Sequence, residues 1–331
     1  MKDLKGKFIL FFSPQFFNYE TEIKKKLEEL GAKVTWFDDR PSNNFVSKAL
    51  IRLNKNFIRN RIANYYKTTI VHLRQNKQQF DYVLFLNPEA IAVDSLKEFK
   101  REFSSAKFVL YMWDSFKNRK NTVSLLPHFD DKFTFDPQDA KKFSLQLRPL
   151  FYIDSYQARQ TDKLNYDLLF IGTAHTDRYK FVNKIVTQLP DQFKVKLYFF
   201  LGSRLLFWAK KILEKDFKTV RYKSISFIPL THRNISELVH ESKVILDINH
   251  PKQVGLTMRT FEAFGAQKKL ITTNADVANY DFYDKNNILV IDRLNPLINN
   301  EFLTGPFVAP DEKILLKYSI KGWITDLFSL S

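Results

Sequence analysis

With 331 residues, 44% of them hydrophobic, the chain holds enough apolar material for two cores, which excludes a disordered or fibrous class. Its lack of cysteine excludes disulfides, thiolate catalysis and zinc–thiolate sites, and makes a cytoplasmic setting the expectation. The formal charge of +16 is concentrated: Arg40 to Lys77 carries nine Lys and Arg and no acid, more than half of the excess.

The apolar run Phe8 to Phe12 is shorter than a secretory core and lacks a small-residue cleavage site, so FILFFSPQ reads as a first strand and loop. No stretch approaches the roughly 20 apolar residues that a bilayer span needs. ETEIKKKLEELGA, closed by Gly31, predicts a helix, and KVTWFDD a second strand, giving a βαβ start. The acid-free segment predicts one or two helices with Phe57, Ile58, Ile62, Tyr65 and Tyr66 at apolar positions. DYVLFLNP and KFVLYMWD have the near-continuous apolar character of strands buried on both faces of a parallel sheet, with a helix from Asp94 to Phe103 between them. DKFTFD follows as a strand. DPQDAKKF then opens a helix with Asp136 as N-cap, Pro137 at the first position and Asp139 three residues after the cap.

Residues 148–165 lose periodicity and gain polarity, the expected place of a linker. Beyond it the alternation restarts. The expected strands are YDLLFIG, KVKLYFF, SISFIP, KVILDIN, KLITT and NILVID; the expected helices span Tyr179–Gln188, Arg204–Lys215, Asn234–Glu241 and Met258–Phe264. The second of these helices interleaves Leu205, Leu206, Phe207, Trp208, Ile212 and Leu213 with Arg204, Lys210, Lys211 and Lys215, so it reads as basic with a large apolar face. Two doubly wound α/β halves place ligands beyond the carboxyl ends of their strands, in the cleft between halves.

Two strand–loop–helix junctions could bear chemistry. In YDLLFIGTAHTDRYKF, Gly172 and Thr173 form a small polar turn whose backbone N–H groups can face a ligand, and Arg178 can reach a phosphate from the helix start. One glycine is neither a dinucleotide fingerprint nor a Walker loop, and a tight turn with a surface arginine fits the same residues. In DINHPKQVGLTMRTFEAFG, Thr257 is placed as N-cap, and Gly265 loosens the far end of the helix. Arg259 then falls in the first turn, where the helix dipole disfavours a cation by about 0.3–1 kcal/mol. An ion pair with Glu262, three residues on, gains at most about 0.5 kcal/mol in this orientation. A pyrophosphate over the helix N-terminus would make the cation favourable, and Glu262 could accept hydrogen bonds from ribose hydroxyls.

The stretch DINHPKQVGLTMRTFEAFGAQKKLITTN, together with YDLLFIGT and YMWDS, resembles the glycosyltransferases of the GT-B fold, in particular the CgeB-like and lipopolysaccharide or capsule biosynthesis transferases. The resemblance covers most of residues 80–292 and is strongest from 243 to 274. It implies two Rossmann-like domains facing each other across a cleft: 1–150 on the acceptor side, and 151–331, with a C-terminal helix, holding a nucleotide-sugar. Glu262 then matches the glutamate that binds the donor ribose. Gly255, Leu256, Thr257 and Arg259 match the diphosphate-binding loop and helix start, and Gly172 and Thr173 the glycine turn of that domain. Many retaining members carry a second glutamate eight residues earlier, where this chain has Val254, so the stereochemical class stays open.

An inverting reaction needs a base in the first half, and Asp114 at the carboxyl end of a buried strand is the candidate; an N-cap or loop-partner role fits it as well. Glu20 and His128 are weaker candidates, each read more simply as a helix-start or loop residue. Asp38-Asp39 and Asp130-Asp131 are adjacent rather than spaced for a metal, and the six histidines form no i, i+3 or i, i+4 pair. Neither metal nor cofactor is therefore expected, and Arg259 would meet the charge of the departing diphosphate. The expected partners are a nucleotide-sugar, a glycan or lipid-linked acceptor, and an anionic membrane surface touched by residues 40–77 with Phe57, Tyr65 and Tyr66 at the interface. That docking would place the protein peripherally at the inner face of the plasma membrane. A nucleic-acid-binding protein and a GT-B-like nucleotide-sugar epimerase are the competing readings, although no nucleic-acid module is recognisable.

Overall fold

The apolar runs of the first half form strands whose buried residues follow one another instead of alternating, as a parallel sheet covered on both faces demands. The structure, a computed structural model, describes residues 3–44, 51, 55–159, 163–174, 177–250 and 254–330. Parts of the basic segment (45–50 and 52–54), His175 and residues 251–253 of the loop before Gly255 lie outside the described residues. The chain divides into two units, 1–149 with 320–331, and 150–319.

In the first unit, β1 (Phe8–Ser13), β2 (Lys33–Asp38), β3 (Tyr82–Leu86), β4 (Lys107–Met112), β5 (Asp131–Thr134) and β6 (Gln146–Leu147) form one sheet in the order β2-β1-β3-β4-β5-β6. Every neighbouring pair is parallel. Helices α1 (Tyr19–Glu29), α2 (Arg59–Gln75), α3 (Val93–Glu102) and α4 (Pro137–Phe143) are interleaved with the strands. Helix α4 starts as expected: Asp136 accepts backbone hydrogen bonds from Gln138 at 2.8 Å and Asp139 at 3.2 Å. On one face of the sheet Phe12 stacks on Phe85 and meets Tyr66 of α2 and Phe99 of α3, which also touch each other.

The second unit holds β7 (Tyr166–Thr173), β8 (Val195–Phe200), β9 (Ile225–Ser226), β10 (Ser242–Asp247), β11 (Lys269–Thr272) and β12 (Ile288–Val290). Their order, β12-β11-β10-β7-β8-β9, is again wholly parallel. Renumbered within the unit and read from the other edge, it is 3-2-1-4-5-6, the dinucleotide-fold order, with the strand order reversing between β7 and β10. Helices α5 (Arg178–Val186), α6 (Arg204–Leu213), α7 (His232–His240), α8 (Met258–Gly265), α9 (Asn300–Thr304) and α10 (Glu312–Lys317) complete it.

Three expectations change. The stretch beginning at residue 148 does hold the division between the units, at 149/150, but it is not bare connection: Leu150, Phe151, Tyr152, Ile153 and Tyr156 are buried in the second unit, an apolar run that the polar residues around it disguise. The final helix α11 (Ile320–Leu327) groups with the first unit rather than with the half that precedes it in the chain. There the buried Trp323 meets Tyr111 edge-on at 4.9 Å, and Asp326 pairs with Arg148 at 2.7 Å. In the basic segment, Arg40 is buried between Asp38 and Glu89, Tyr66 is buried, and Tyr65 is half-buried. The Tyr65 hydroxyl donates to the Asp38 carbonyl at 2.6 Å and that of Tyr66 to Asp39 at 2.7 Å, so the two rings that spacing offered to a membrane serve the core instead. Phe57 alone of the three aromatics is exposed.

Candidate functional site

Strands β7 and β10 are hydrogen-bonded neighbours, so the turn after one and the loop after the other open side by side at the point where strand order reverses. The chain thereby sets Gly172, Thr173 and Arg178, after β7, at the same end of the sheet as the segment after β10 that carries Gly255, Leu256, Thr257, Arg259 and Glu262. The tie is direct: Arg178 donates through Nη2 to the Ile248 carbonyl at 2.7 Å, and through Nη1 to Thr173 Oγ1 at 3.2 Å. A side chain at Gly172 would meet the Phe170 ring at 2.8 Å and lie 3.5 Å from Arg178 Nη1, so the close approach requires glycine. Arg178 therefore stitches two strand ends. Two of its guanidinium nitrogens are engaged in this way.

Thr257 occupies the N-cap position of α8, with extended backbone, yet its side chain makes no cap hydrogen bond. Its hydroxyl goes to Asp247 Oδ2 at 2.6 Å, and that of Thr260 reaches the same oxygen at 2.9 Å. The first turn of α8 is thus fastened to β10 through side chains, and the Thr257 hydroxyl is not the cap of its N-terminal N–H groups. Leu256 buries its side chain, which leaves only its backbone to face a ligand. Val254 is fixed through its carbonyl, which accepts from Asn274 Nδ2 at 2.8 Å.

Arg259 and Glu262 form an ion pair on one face of α8. Glu262 is only 4% exposed, and the buried Tyr156 hydroxyl stands against both: burial and the Glu262 charge push its ionisation well up, while Arg259 pulls it down. Asp247, also buried, is raised above the usual carboxylate range, mainly by burial; the two threonine hydroxyls and the charges of Arg178 and Arg259 oppose that shift. A cationic rim thus surrounds a buried carboxylate. Arg293 joins it, donating to Asp177 Oδ2 at 2.8 Å and to the Asn249 carbonyl.

Sequence reasoning missed Asp247, Tyr156, Asn249, Thr260 and Arg293. An acid closing the apolar run VILDI was a visible signal for Asp247, because a carboxylate entering a buried strand needs partners. Arg293 gave none; it reaches Asp177 across 116 positions of chain.

In the first unit, Asp114 lies two residues beyond β4, half-buried. Its Oδ2 pairs with Arg119 Nε at 3.0 Å and its Oδ1 accepts from Asn118 at 2.9 Å, and Arg119 also grips the buried Glu89 at 2.7 Å. Glu20 accepts the backbone N–H of Phe16 at 3.1 Å, a helix-start role. The His128 carbonyl accepts from Lys100 at 3.1 Å.

No family model matches the chain, and no curated protein matches it in sequence. Solved structures do match in fold. Anabaena HepE in complex with UDP-glucose superposes with a TM-score of 0.62 at 10% identity, covering 98% of each chain, and HepE with UDP and glucose with 0.61 at 12%, covering 98% of this chain and 99% of the other. The catalytic domain of Arabidopsis thaliana starch synthase IV, bound to ADP and acarbose, gives 0.55 at 7% identity over 98% of each chain. The UDP-GlcNAc 2-epimerase of Methanocaldococcus jannaschii gives 0.50 at 11%, over 98% of this chain and 99% of that one. Two six-stranded parallel sheets with interleaved helices, matched along almost the whole length of these chains, give this protein the GT-B fold.

Proposed function

We propose that the protein is a glycosyltransferase that takes a sugar from a nucleotide-sugar bound in the second unit and passes it to a surface-polysaccharide or lipid-linked glycan. The observation that supports this most is the α8 N-terminus standing where the strand order reverses, with the hydroxyl of its N-cap residue Thr257 drawn to Asp247 instead of to the helix N–H groups. Structures of similar fold hold UDP, UDP-glucose or ADP. In this reading the diphosphate sits over that helix start and the Gly172–Thr173 turn. It draws Arg259 off Glu262, and the released carboxylate takes the ribose hydroxyls. Arg259 and backbone N–H groups, with no metal ion, meet the charge of the leaving diphosphate.

For the acceptor side, the proposal keeps Asp114 as base. Asn118, its exposed partner on Oδ1, is replaceable by an acceptor hydroxyl, while Arg119 stays paired in charge with the other oxygen. The proposal includes a cytoplasmic location, where a nucleotide-sugar donor would be met. No helix among the described residues is long and apolar enough to cross a membrane. Arg59, Arg61 and Lys67, exposed on α2, supply charge for attraction to an anionic membrane, as a lipid-linked acceptor would require.

Thermal shift with a panel of nucleotides and nucleotide-sugars tests the donor site. UDP or GDP should raise the melting temperature, Glu262→Ala and Arg259→Ala should abolish the rise, and polyanions should not substitute. Tight oligonucleotide binding with a steep salt slope and no nucleotide effect would favour a nucleic-acid-binding protein instead. Turnover of UDP-GlcNAc without any acceptor would favour an epimerase, the activity named for one fold neighbour.

A further inference from the structure

Helix α6 is amphipathic in the wrong sense for a surface helix. One residue of Arg204–Leu213, Phe207, is fully buried, packing edge-on against Phe217 and Tyr222 at 5.4 and 5.2 Å. At 100° per residue, the arc opposite Phe207 holds Trp208, Ile212, Leu205, Ala209, Leu213 and Leu206 without a polar interruption. These side chains face outward: Leu205 and Leu213 are 81% exposed, Ile212 75% and Trp208 55%. The lysines flank the buried side. Lys210 pairs with Glu214 at 2.5 Å, and Lys211 donates to the Val220 carbonyl at 2.8 Å. A surface helix ordinarily turns its apolar stripe to the core and its charges to water, so this apolar arc has a use outside the unit.

The rim decides what it meets. Residues 192–236 contain ten Lys and Arg against two acids, Glu214 and Asp216. Both acids are already paired, Glu214 with Lys210 and Asp216 with Lys180 at 2.8 Å. Arg204, Lys215, Lys218, Arg221 and Lys223 are exposed around the arc. A second copy of the chain on this face would set one cationic rim against another, which like-charge repulsion opposes. An anionic lipid surface satisfies both features at once, because aliphatic groups enter the acyl boundary while the cations meet headgroups. Trp208 and Tyr222, stacked at 6.1 Å with their planes 20° apart, are rings of the type that settle at such a boundary.

We propose that α6 is a membrane-docking element that lies in the headgroup region of an anionic leaflet, with Leu205, Trp208, Ile212 and Leu213 inserted. The proposal stands apart from the donor site. It also differs from attraction by the basic segment at residues 40–77, where Phe57 is the one aromatic of the three left exposed.

The test is flotation of the intact protein with vesicles of phosphatidylcholine, alone or mixed with phosphatidylglycerol. The protein should float with the mixed vesicles and not with the neutral ones. Leu205→Glu with Ile212→Glu should reduce bound protein by about tenfold or more, whereas Arg59→Glu with Arg61→Glu should leave most of it bound. Quenching by brominated lipid should fall in Trp208→Phe. Both Glu substitutions are at exposed positions, and an unchanged melting temperature and nucleotide response would show that the fold and donor site survive them. Equal flotation of the double Glu variant overturns the proposal, as does absence of flotation by the intact protein. Sedimentation showing a dimer that the double Glu variant dissociates, with no vesicle binding, would assign the arc to a second copy and overturn it too.

Discussion

Asp247 Oδ2 accepts the hydroxyls of both Thr257 and Thr260, so one buried carboxylate at the end of β10 fixes the first turn of α8. Burial raises its pKa above the unfolded value. A carboxyl raised in this way contributes stability that is complete below about pH 3.9 and is lost as pH climbs through the folded value. Asp247→Asn keeps an acceptor oxygen and removes that dependence, so calorimetry should show the variant gaining on the parent protein as pH rises from about 4 to 7. Asp247→Ala leaves two hydroxyls without their acceptor and should cost about 1–3 kcal/mol, with the nucleotide-induced shift lost as α8 comes loose.

Arg259 and Glu262 tie stability to binding. Arg259→Ala removes the cation beside a carboxylate that is 4% exposed, and removing one partner of a buried pair costs about 3–5 kcal/mol when enclosure is complete. Arg259 itself is partly open, so a smaller loss, about 2 kcal/mol, is expected from urea unfolding of the nucleotide-free protein. The double Ala variant should lose less than the sum of the two singles. Arg259→Lys should keep most of the stability while weakening the response to UDP, because an ammonium lacks the planar fork that grips two phosphate oxygens.

Asp114 makes the corresponding prediction for the first unit. Asp114→Asn should lower turnover by about 10²- to 10⁴-fold, the usual worth of a positioned base, with the nucleotide-induced thermal shift intact. Transfer at the parental rate would reduce Asp114 to an anchor for Arg119.

The strands were legible because continuous apolar runs such as VLFL and FVLYM have few alternatives to burial on both faces of a sheet. Junctions were legible in position more than in partnership. Thr257 stands where an N-cap should, but its hydroxyl serves Asp247, ten positions earlier, and local pattern cannot reveal that choice. The bond from Arg178 to the Ile248 carbonyl could not be read locally either, because the two lie 70 positions apart. Tyr65 and Tyr66 looked interfacial because a tyrosine in a basic segment reads alike whether its hydroxyl meets water or the backbone of Asp38 and Asp39. The apolar face of α6 was readable at once, whereas the direction in which it points was not.

His240 should make the second unit acid-sensitive. Its ring is buried, and the Ser155 carbonyl at 3.1 Å makes Nε2 the donor; Nδ1 has no hydrogen-bond partner among the described residues. Burial, joined by Arg159 and Lys268, lowers its pKa below 6.5, against the pull of the Ser155 carbonyl. A lowered histidine contributes stability that is present above about pH 6.5 and is lost as pH falls through the folded value. His240→Gln should flatten the decline in urea midpoint between about pH 7 and pH 5; an identical slope in the variant would place the sensitivity elsewhere.

Gly265, the last residue of α8, tests packing. Sequence reading gave it the task of loosening the helix end, but a Cβ there would stand 2.4–2.7 Å from three ring carbons of Tyr152. Glycine is present because the ring lies directly on the helix backbone, with the Gly265 carbonyl accepting the N–H of Ala158 at 2.8 Å beside it. The Tyr152 hydroxyl holds the Leu315 carbonyl at 3.0 Å, so the ring cannot swing away without breaking that bond. Gly265→Ala gains helix propensity of about 1 kcal/mol and meets an overpacking cost of about 1–3 kcal/mol. The clash should win, since so short a contact forces the ring or the helix to shift. Calorimetry should therefore show a lower melting temperature for Gly265→Ala. Tyr152→Ala removes the obstacle, and in that background the same substitution should become neutral or stabilising. A destabilisation of equal size in both backgrounds would mean that the ring is not what demands glycine.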